Sequence, residues 1–132
     1  MGTFHITLAV GDPQGESYVP VEALVDTGAT YTMLPASMLQ NLGVVPHDRA
    51  EFELADGNVA EMDIGRTWVR IDGRSEIVPI IFGEEGTTAL LGAVTLEIFR
   101  LGVDLVRQEL IPVRGLLMAS GEHRYRLMQP RV

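Results

Sequence analysis

The chain has 132 residues, of which 46% are hydrophobic and 21% are charged, a composition typical of one globular domain. The absence of cysteine excludes disulfides, thiolate zinc sites and cysteine nucleophiles, and because all ten basic residues are arginines a lysine Schiff base is excluded as well. The net charge is -8, and 17 of the 18 acidic residues precede residue 114, so we expect the body of the protein to repel nucleic acid.

Two strands are predicted at the start of the chain. Residues 4–10 alternate between apolar and more polar side chains, the pattern of a strand with one buried face. The run Tyr18–Val25 is rich in β-branched residues and ends at Asp26. A segment with glycine and proline, 11–15, separates the two runs, which indicates a β-hairpin and places Asp26 at the end of a strand.

A short helix and two further hairpins are predicted next. Residues 35–42 have apolar side chains at helical spacing, with Pro35 in the first turn and Gly43 as the stop. Each hairpin is centred on an Asp-Gly pair, Asp56-Gly57 or Asp72-Gly73, which favours a type I′ turn because both central residues need positive φ angles. The predicted arms are 49–55 and 58–64 for the first of these hairpins and 67–71 and 76–82 for the second.

The remaining elements complete an all-β pattern. The arm 76–82 is apolar on both faces and contains Pro79, which favours a buried strand with an edge or a bulge at the proline. The elements that follow are a loop at 83–86, a short buried strand at 89–91, a helix at 93–100 ended by Gly102, and one or two strands within 103–113. Many short strands with only two short helices predict a closed, barrel-like all-β domain.

We predict one domain, residues 1–113, followed by a basic tail, 114–132. The four arginines of this tail stand among small residues and are expected to form a solvated terminus rather than a nucleic-acid site. The chain has no apolar run of the length of a membrane span, and its first residues lack the pattern of a signal peptide. We therefore expect a cytoplasmic protein with no membrane or nucleic-acid partner.

The histidines, serines and glycines carry no cofactor or nucleophile motif. His5, His47 and His123 lie far apart and have no second ligand type at metal-binding spacing, so no metal is expected. The serines lack the Gly-x-Ser-x-Gly setting of a nucleophile elbow, and no Gly-Lys-Ser/Thr follows the glycines at 83–92. No other cofactor is expected either.

The segment Ala23-Leu24-Val25-Asp26-Thr27-Gly28-Ala29-Thr30 carries the most specific motif. It resembles the active-site segment of aspartic proteases, with alanine after the glycine as in the retroviral-type, or retropepsin-like, branch. A downstream Leu34-Pro35 pair and the run Leu90-Leu91-Gly92, which resembles the second signature of the family, extend the resemblance over about residues 4–113. The predicted helix at 35–42 is more similar to cellular and microbial members than to viral ones.

This resemblance implies half of an aspartic protease, a closed β-barrel-like unit that dimerises to form the active site. Hydrolysis of a peptide bond by activated water needs a carboxylate that takes a proton and a carboxylic acid that polarises the carbonyl. Two carboxyls about 3 Å apart share one proton and supply both forms. Because the chain has a single Asp-Thr-Gly, we expect the second carboxyl to come from a second chain, in a symmetric homodimer.

The resemblance also implies roles for individual residues in an aspartic endopeptidase. Asp26 is the expected shared acid and base, Thr27 braces the two loops across the dimer, and Gly28 lets backbone approach the carboxylate. The supporting residues are Ala29, which has no hydroxyl to donate to the carboxylate, and the strand Leu90, Leu91 and Gly92, which threads beneath the loop. The expected flap over a peptide or protein substrate has its tip at Ala55, Asp56, Gly57 and Asn58.

Other features leave a second hypothesis open. Thr30 and Ala93 replace an aspartate and an arginine that pair in retroviral enzymes, and their joint absence leaves no orphan charge. An aspartate before Thr-Gly is, however, also common as an Asx-turn residue at the end of a strand. The flap tip is poor in glycine and carries the charge of Asp56, which favours a dimeric protein-binding module with the same fold and little peptidase activity.

Overall fold

The computed structural model describes residues 3–115 of the chain. From residue 116 onward, the predicted basic tail lies outside the described residues. The elements of the described part, in chain order, are β1 (His5–Gly11), β2 (Tyr18–Val25), β3 (Thr32–Pro35), α1 (Ala36–Asn41), β4 (Asp48–Glu53), β5 (Val59–Ile71), β6 (Arg74–Gly83), β7 (Leu90–Leu91), α2 (Ala93–Phe99), β8 (Leu101–Asp104) and β9 (Glu109–Pro112).

Seven of these strands form one mixed sheet, in the order β1-β2-β7-β3-β6-β5-β4. The sheet closes on itself because β1 also pairs with β5, with Ala9 opposite Arg70 and Val10 opposite Val69. Strands β8 and β9 form a separate antiparallel hairpin. The prediction of a closed, barrel-like all-β domain with two short helices is therefore confirmed.

Apolar side chains at alternate positions of the strands fill the inside of the barrel. Leu8 and Val10 of β1 are buried, whereas the alternating His5 and Thr7 are exposed. Val78 and Ile80 of β6 belong to the same core and are completely buried. Burying an aliphatic side chain of this size contributes about 1.5–3 kcal/mol, so this apolar interior is the main source of stability.

Strand β5 is longer than predicted, because the arms expected at 58–64 and 67–71 form one continuous strand. Its first half pairs with β4 and its second half with β6, so two predicted hairpins share it. Gly65, which joins the halves, is buried, and a Cβ there would lie 2.9 Å from Cε1 of Phe82 and 3.1 Å from Cγ1 of Val44. Gly65 therefore marks a close packing contact rather than a turn.

The turn at Asp72-Gly73 has the predicted geometry. Both residues have positive φ angles, +50° and +80°, and Ile71 pairs directly with Arg74 across the turn. The prediction of a two-residue type I′ turn is confirmed here.

The turn at Asp56-Gly57 does not have that geometry, and the predicted type I′ turn is wrong. Only Gly57 has a positive φ angle, +87°. The Gly57 amide donates to the Leu54 carbonyl (2.9 Å) and the Leu54 amide donates to the Asn58 carbonyl (2.7 Å), which closes a three-residue loop. The Asp56 carboxylate accepts the Asn58 amide (2.9 Å), a local hydrogen bond that favours this alternative.

Several boundaries also differ from the predicted ones. Strand β3 has no counterpart among the predicted elements, and its last residue, Pro35, is the N-cap of α1, so the helix begins at Ala36. Helix α2 ends at Phe99, where Arg100 adopts a left-handed conformation (φ +54°), so Arg100 rather than Gly102 terminates it. Helix boundaries commonly shift by one or two residues, and the ends of both helices lie within that range of the predicted ones.

The structure confirms an edge position for Pro79 and strands near the C-terminal end of the domain, and it adds detail to both predictions. Strand β3 pairs with β6 only from Ile80 onward, so at Pro79 β6 has a single neighbouring strand, β5. Pro79 thus occupies a local edge, which its missing N–H requires. The strands expected within 103–113 are the hairpin β8–β9, which begins earlier, at Leu101.

Candidate active site

The segment that connects β2 to β3 forms a loop, residues 26–31, above the short strand β7. Leu24 and Val25 pair in parallel with Leu90 and Leu91, and Met33 pairs with Leu90 on the other side. The Asp26 amide donates to the Leu91 carbonyl (3.0 Å). Strand β7 therefore lies between the two strands that carry the loop and fixes its starting point.

A buried pair of threonines supports the loop from below. The hydroxyl groups of Thr32 and Thr95 are 2.7 Å apart, and both residues are completely buried. The Thr32 hydroxyl also accepts the Gly92 amide (3.1 Å). Sequence reasoning missed this network, because the two threonines lie 63 residues apart and each is an ordinary strand or helix residue taken alone.

The start of α2 is tied directly to the loop. The amides of Ala93 and Val94 donate to the carbonyls of Ala29 (2.8 Å) and Thr30 (2.9 Å), so loop carbonyls satisfy the first free N–H groups of the helix. A Cβ at Gly92 would lie 2.5 Å from the carbonyl carbon of Tyr31. Glycine is needed at this position because the backbone of the loop passes too close for a side chain.

Asp26 itself is half-buried, and Thr27 and Gly28 are exposed. The Asp26 Oδ1 accepts the Gly28 amide (3.0 Å), and the Ala29 amide donates to the Asp26 carbonyl (3.1 Å). The Asx turn considered from the sequence is thus present. It uses one carboxylate oxygen, and the other, Oδ2, has no hydrogen-bond partner within residues 3–115.

Two cavities meet at the loop, and Gly28 borders both. The first has a volume of about 550 Å³ and contains Asp26; it is lined by Thr3, Val25, Asp26, Thr27, Gly28, Val103 and Leu105. The second has a volume of about 300 Å³ and lies between the loop and the hairpin β4–β5; it is lined by Gly28, Ala29, Thr30, Tyr31, Met33, Phe52, Glu53, Leu54, Met62, Ile81 and Leu90. We call them the carboxylate cavity and the apolar cavity.

The arms of the hairpin β4–β5, rather than its tip, border the apolar cavity. Phe52 packs edge-on against Tyr31 of the loop, with ring centroids 5.9 Å apart and an interplanar angle of 85°. Met62 lines the cavity from the other arm. The structure thus brings the arms close to Gly28 and Ala29.

The residues expected at the flap tip, Ala55, Asp56, Gly57 and Asn58, are exposed and are not part of the lining of the apolar cavity. The Asp56 carboxylate is bound to the amide and the side-chain amide of Asn58, each at 2.9 Å. In the single chain, the tip therefore interacts with itself and not with the loop.

Within the part of the chain that the structure describes, no group of three His, Asp or Glu side chains is arranged to hold a metal ion. His5 and His47 are both exposed. Neither α1 nor α2 is long and apolar enough to cross a membrane.

The fold is that of retropepsin-like aspartic proteases. The family described as gag-polyprotein putative aspartyl protease matches residues 16–97, and the chain belongs to this family. No curated protein sequence matches the chain.

Three solved structures are similar to the chain in fold. The retroviral protease-like domain of Ddi1 from Leishmania major is 20% identical, with a TM-score of 0.56, covering 85% of this chain and 89% of that one. The protease of simian foamy virus is 17% identical, with a TM-score of 0.53 and coverage of 73% and 94%. Lpg0085 from Legionella pneumophila, a protein of unknown function, is 12% identical, with a TM-score of 0.51 and coverage of 86% and 95%.

Proposed function

We propose that the protein is an aspartic endopeptidase of the retroviral type, active as a homodimer. Each chain contributes one Asp26, and the two carboxyls share a proton and activate the water that attacks the peptide bond. The substrate is a peptide or a protein segment, and no cofactor takes part.

One observation carries this proposal: Asp26 lies on a loop that buried contacts hold in place, it lines the carboxylate cavity, and its Oδ2 has no hydrogen-bond partner within residues 3–115. Backbone contacts from Leu91 and Gly28 fix the position of the group. Catalysis gains from such a prearranged group, because its orientation is not lost to thermal motion before the reaction. A residue that only terminates a strand does not need the buried network beneath it.

The apolar cavity suits a side chain of the substrate next to the cleaved bond. Phe52, Met62 and Leu90 supply an apolar lining within reach of Gly28. The hairpin β4–β5 covers this cavity from one side, which excludes water from a bound peptide. Thr27 is exposed beside the carboxylate cavity, which supports a role in bracing the loop of the second chain in the proposed dimer.

The experiment compares Asp26→Asn with Asp12→Asn on a degenerate peptide library, with products identified by mass spectrometry. Asp12 is the matched control because its carboxylate also accepts backbone amides, from Glu16 (2.7 Å) and Ser17 (3.2 Å), but in a turn outside both cavities. We expect Asp26→Asn to lower cleavage at least ~100-fold, since an amide cannot act as the base. Cleavage by Asp26→Asn at the rate of the unmodified protein refutes the proposal.

The hairpin tip favours a second candidate, a dimeric protein-binding module with little peptidase activity. Ala55, Asp56, Gly57 and Asn58 do not reach the apolar cavity, so a closed flap requires movement of the tip. A transition-state mimic of aspartic proteases separates the two functions. The enzyme binds the mimic much more tightly than the matching substrate peptide, whereas a module binds both alike.

A further inference from the structure

Strands β5 and β6 present a row of side chains to the outside of the barrel. Alternation along each strand places Thr67, Val69 and Val78 inside, where they are buried. The side chains between them point outward, and we call this surface the outer face. It consists of Arg66, Trp68 and Arg70 on β5 and of their direct partners on β6, which are, in the same order, Pro79, Ile77 and Ser75.

The centre of the outer face is apolar and accessible to solvent. Ile77 is 49% exposed, and its partner Trp68 is half-buried. Ile77 and Pro79 also border a groove of about 430 Å³, which is lined in addition by Val94 and Ile98 of α2. The outer face therefore offers a continuous apolar contact rather than a single exposed side chain.

Two arginines flank this apolar centre, and neither forms an ion pair within residues 3–115. Arg66 and Arg70 are both exposed, and their positions on one strand place their Cα atoms about 13 Å apart. Asp48 also lines the groove but makes no ion pair with Arg66. Because the protein has a net charge of -8, two uncompensated cations on one face favour an anionic ligand there.

Arg70 is held in place without the use of its terminal nitrogens. Its Cζ lies 4.0 Å from the centroid of the Tyr18 ring, and its Nε donates to the Ser75 hydroxyl (3.1 Å). Nη1 and Nη2 have no hydrogen-bond partner within the described part of the chain. An arginine that is already stacked and oriented loses little side-chain entropy when a carboxylate binds these two nitrogens.

Three other occupants fit these charges poorly. A second copy that docks through the same surface around a twofold axis brings Arg66 and Arg70 against the same arginines of the first copy. Residues 116–132 carry three arginines and one glutamate, so this segment is repelled as well. Nucleic acid has a negative charge at every phosphate and is repelled by the acidic protein as a whole.

We propose that the outer face binds an extended acidic segment of another protein, with an apolar side chain on Ile77 and a carboxylate on each of Arg66 and Arg70. In an extended peptide, residues i, i+2 and i+4 lie on one side, so the order acidic, apolar, acidic at alternate positions matches the spacing along β5. The groove shares only Tyr31 with the apolar cavity and no residue with the carboxylate cavity. This binding function therefore does not depend on the proposed peptidase activity.

The test uses the fluorescence of Trp68, the single tryptophan of the chain, which lies between the two arginines. The probe is the blocked peptide Ser-Glu-Ser-Leu-Ser-Glu-Ser, and the control peptide has lysine in place of both glutamates. We expect the acidic peptide to change the Trp68 emission in a saturable way that weakens with added salt, and the lysine peptide to have no effect. A saturable response to both peptides, or to neither, refutes the inference.

Variants locate the bound peptide. Arg66→Gln should raise the dissociation constant of the acidic peptide ~10-fold, and Ile77→Ser should raise it ~5-fold. The matched controls are Arg114→Gln, at an exposed arginine, and Val113→Ser, at a valine that is 45% exposed, because both positions lie outside the groove. Circular dichroism verifies that each variant is folded. Unchanged binding in Arg66→Gln and Ile77→Ser, or equal losses in the controls, overturns the inference.

Other occupants give different results. Asp26→Asn should bind the acidic peptide as the unmodified protein does, and a loss of affinity would assign the peptide to the active site. Slower sedimentation of Arg66→Gln alone, without peptide, would identify a second copy as the occupant. Tighter binding of a single-stranded oligonucleotide than of the peptide would identify nucleic acid. Each of these results overturns the inference, and because none measures cleavage, the inference and the proposed function fail independently.

Discussion

The loop 26–31 and the hairpin β4–β5 border the same apolar cavity but are held in different ways. The loop is connected to the barrel by buried contacts, through Gly92 and the threonine pair beneath it. The hairpin tip is exposed and held by hydrogen bonds among its own residues, Leu54 to Asn58. Buried contacts therefore hold the loop that carries Asp26 in one position. The hairpin tip has few such contacts and is free to adapt to a ligand.

This division suits the peptidase proposed above, in which the Asp26 carboxyl would stay in position while the hairpin opens for each substrate. The edge-on contact between Tyr31 and Phe52 is the point where the two elements meet. Substitutions beneath the loop should therefore cause large losses in the free energy of unfolding, and substitutions at the hairpin tip should cause small ones.

The largest loss of stability is expected for Gly92→Ala. Its φ and ψ of −98° and 175° suit any residue, so the cost comes from space alone: the new Cβ would lie 2.5 Å from the Tyr31 carbonyl carbon and 2.9 Å from the Ala29 carbonyl oxygen. Since backbone cannot yield as a flexible side chain does, we expect a loss of at least about 3 kcal/mol in the free energy of unfolding. Urea denaturation at one fixed protein concentration measures it.

Gly57→Ala at the hairpin tip is the matched substitution. Nothing lies within 4 Å of a Cβ there, and only the positive φ of +87° is unfavourable. Its cost should be about 1 kcal/mol. Equal losses for the two glycines would contradict the contrast between the loop and the tip.

The second effect concerns the threonine pair. Thr32→Val removes the acceptor of the Gly92 amide and the partner of the Thr95 hydroxyl, and it leaves both groups buried without a partner. We expect a loss of ~1–3 kcal/mol, whereas Asp56→Ala at the tip should cost less than about 0.5 kcal/mol. Thr32→Ser, which keeps the hydroxyl, should recover most of the loss, and failure to recover it would assign the effect to the missing methyl group.

The third prediction addresses the pH dependence of hydrolysis. Ala29→Ser puts a hydroxyl into the loop 26–31 that carries Asp26, where donation to the carboxylate would favour its charged form. The acidic limb of the pH–rate profile should then move to lower pH. Ala9→Ser, on a strand outside both cavities, is the control and should leave the profile unchanged. An identical profile in Ala29→Ser means that other groups set the proton affinity of the pair.

The smallest effect on stability is expected for Glu85→Gln, in the loop after β6, whose carboxylate contacts the first turn of α1. The Glu85 carboxylate accepts the amide of Ser37 (3.0 Å) and its hydroxyl (2.8 Å), and these hydrogen bonds lower the pKa of Glu85. A carboxyl whose pKa is lowered by folding stabilises the protein above its unfolded pKa, and this contribution is lost as the pH falls through the folded value.

Glu85→Gln should therefore lower the melting temperature slightly at neutral pH, and the difference from the unmodified protein should shrink in acid. Glu84→Gln, its exposed neighbour, is the control. A difference that persists unchanged at low pH would show that the charge of Glu85 has no part in capping α1.

Local patterns predicted much of the molecule correctly. The alternation in β1, the type I′ turn at Asp72-Gly73 and the position of Asp26 at the end of β2 each depend on a few neighbouring residues. The turn at Asp56-Gly57 differs because a side chain next to it competes: Asn58 donates to Asp56 and favours another loop. The same dipeptide thus has two conformations, and its own sequence does not distinguish them.

By itself, the sequence determined an all-β chain with one Asp-Thr-Gly at a strand end and a short strand at Leu90-Leu91, because hydrophobic periodicity and turn residues act over short distances. The tertiary structure alone decided what surrounds that motif. The pairing of β7 between β2 and β3, the contact of Thr32 with Thr95 and the approach of Tyr31 to Gly92 all join residues far apart in the chain. Such contacts form only when the barrel closes, and no local pattern records them.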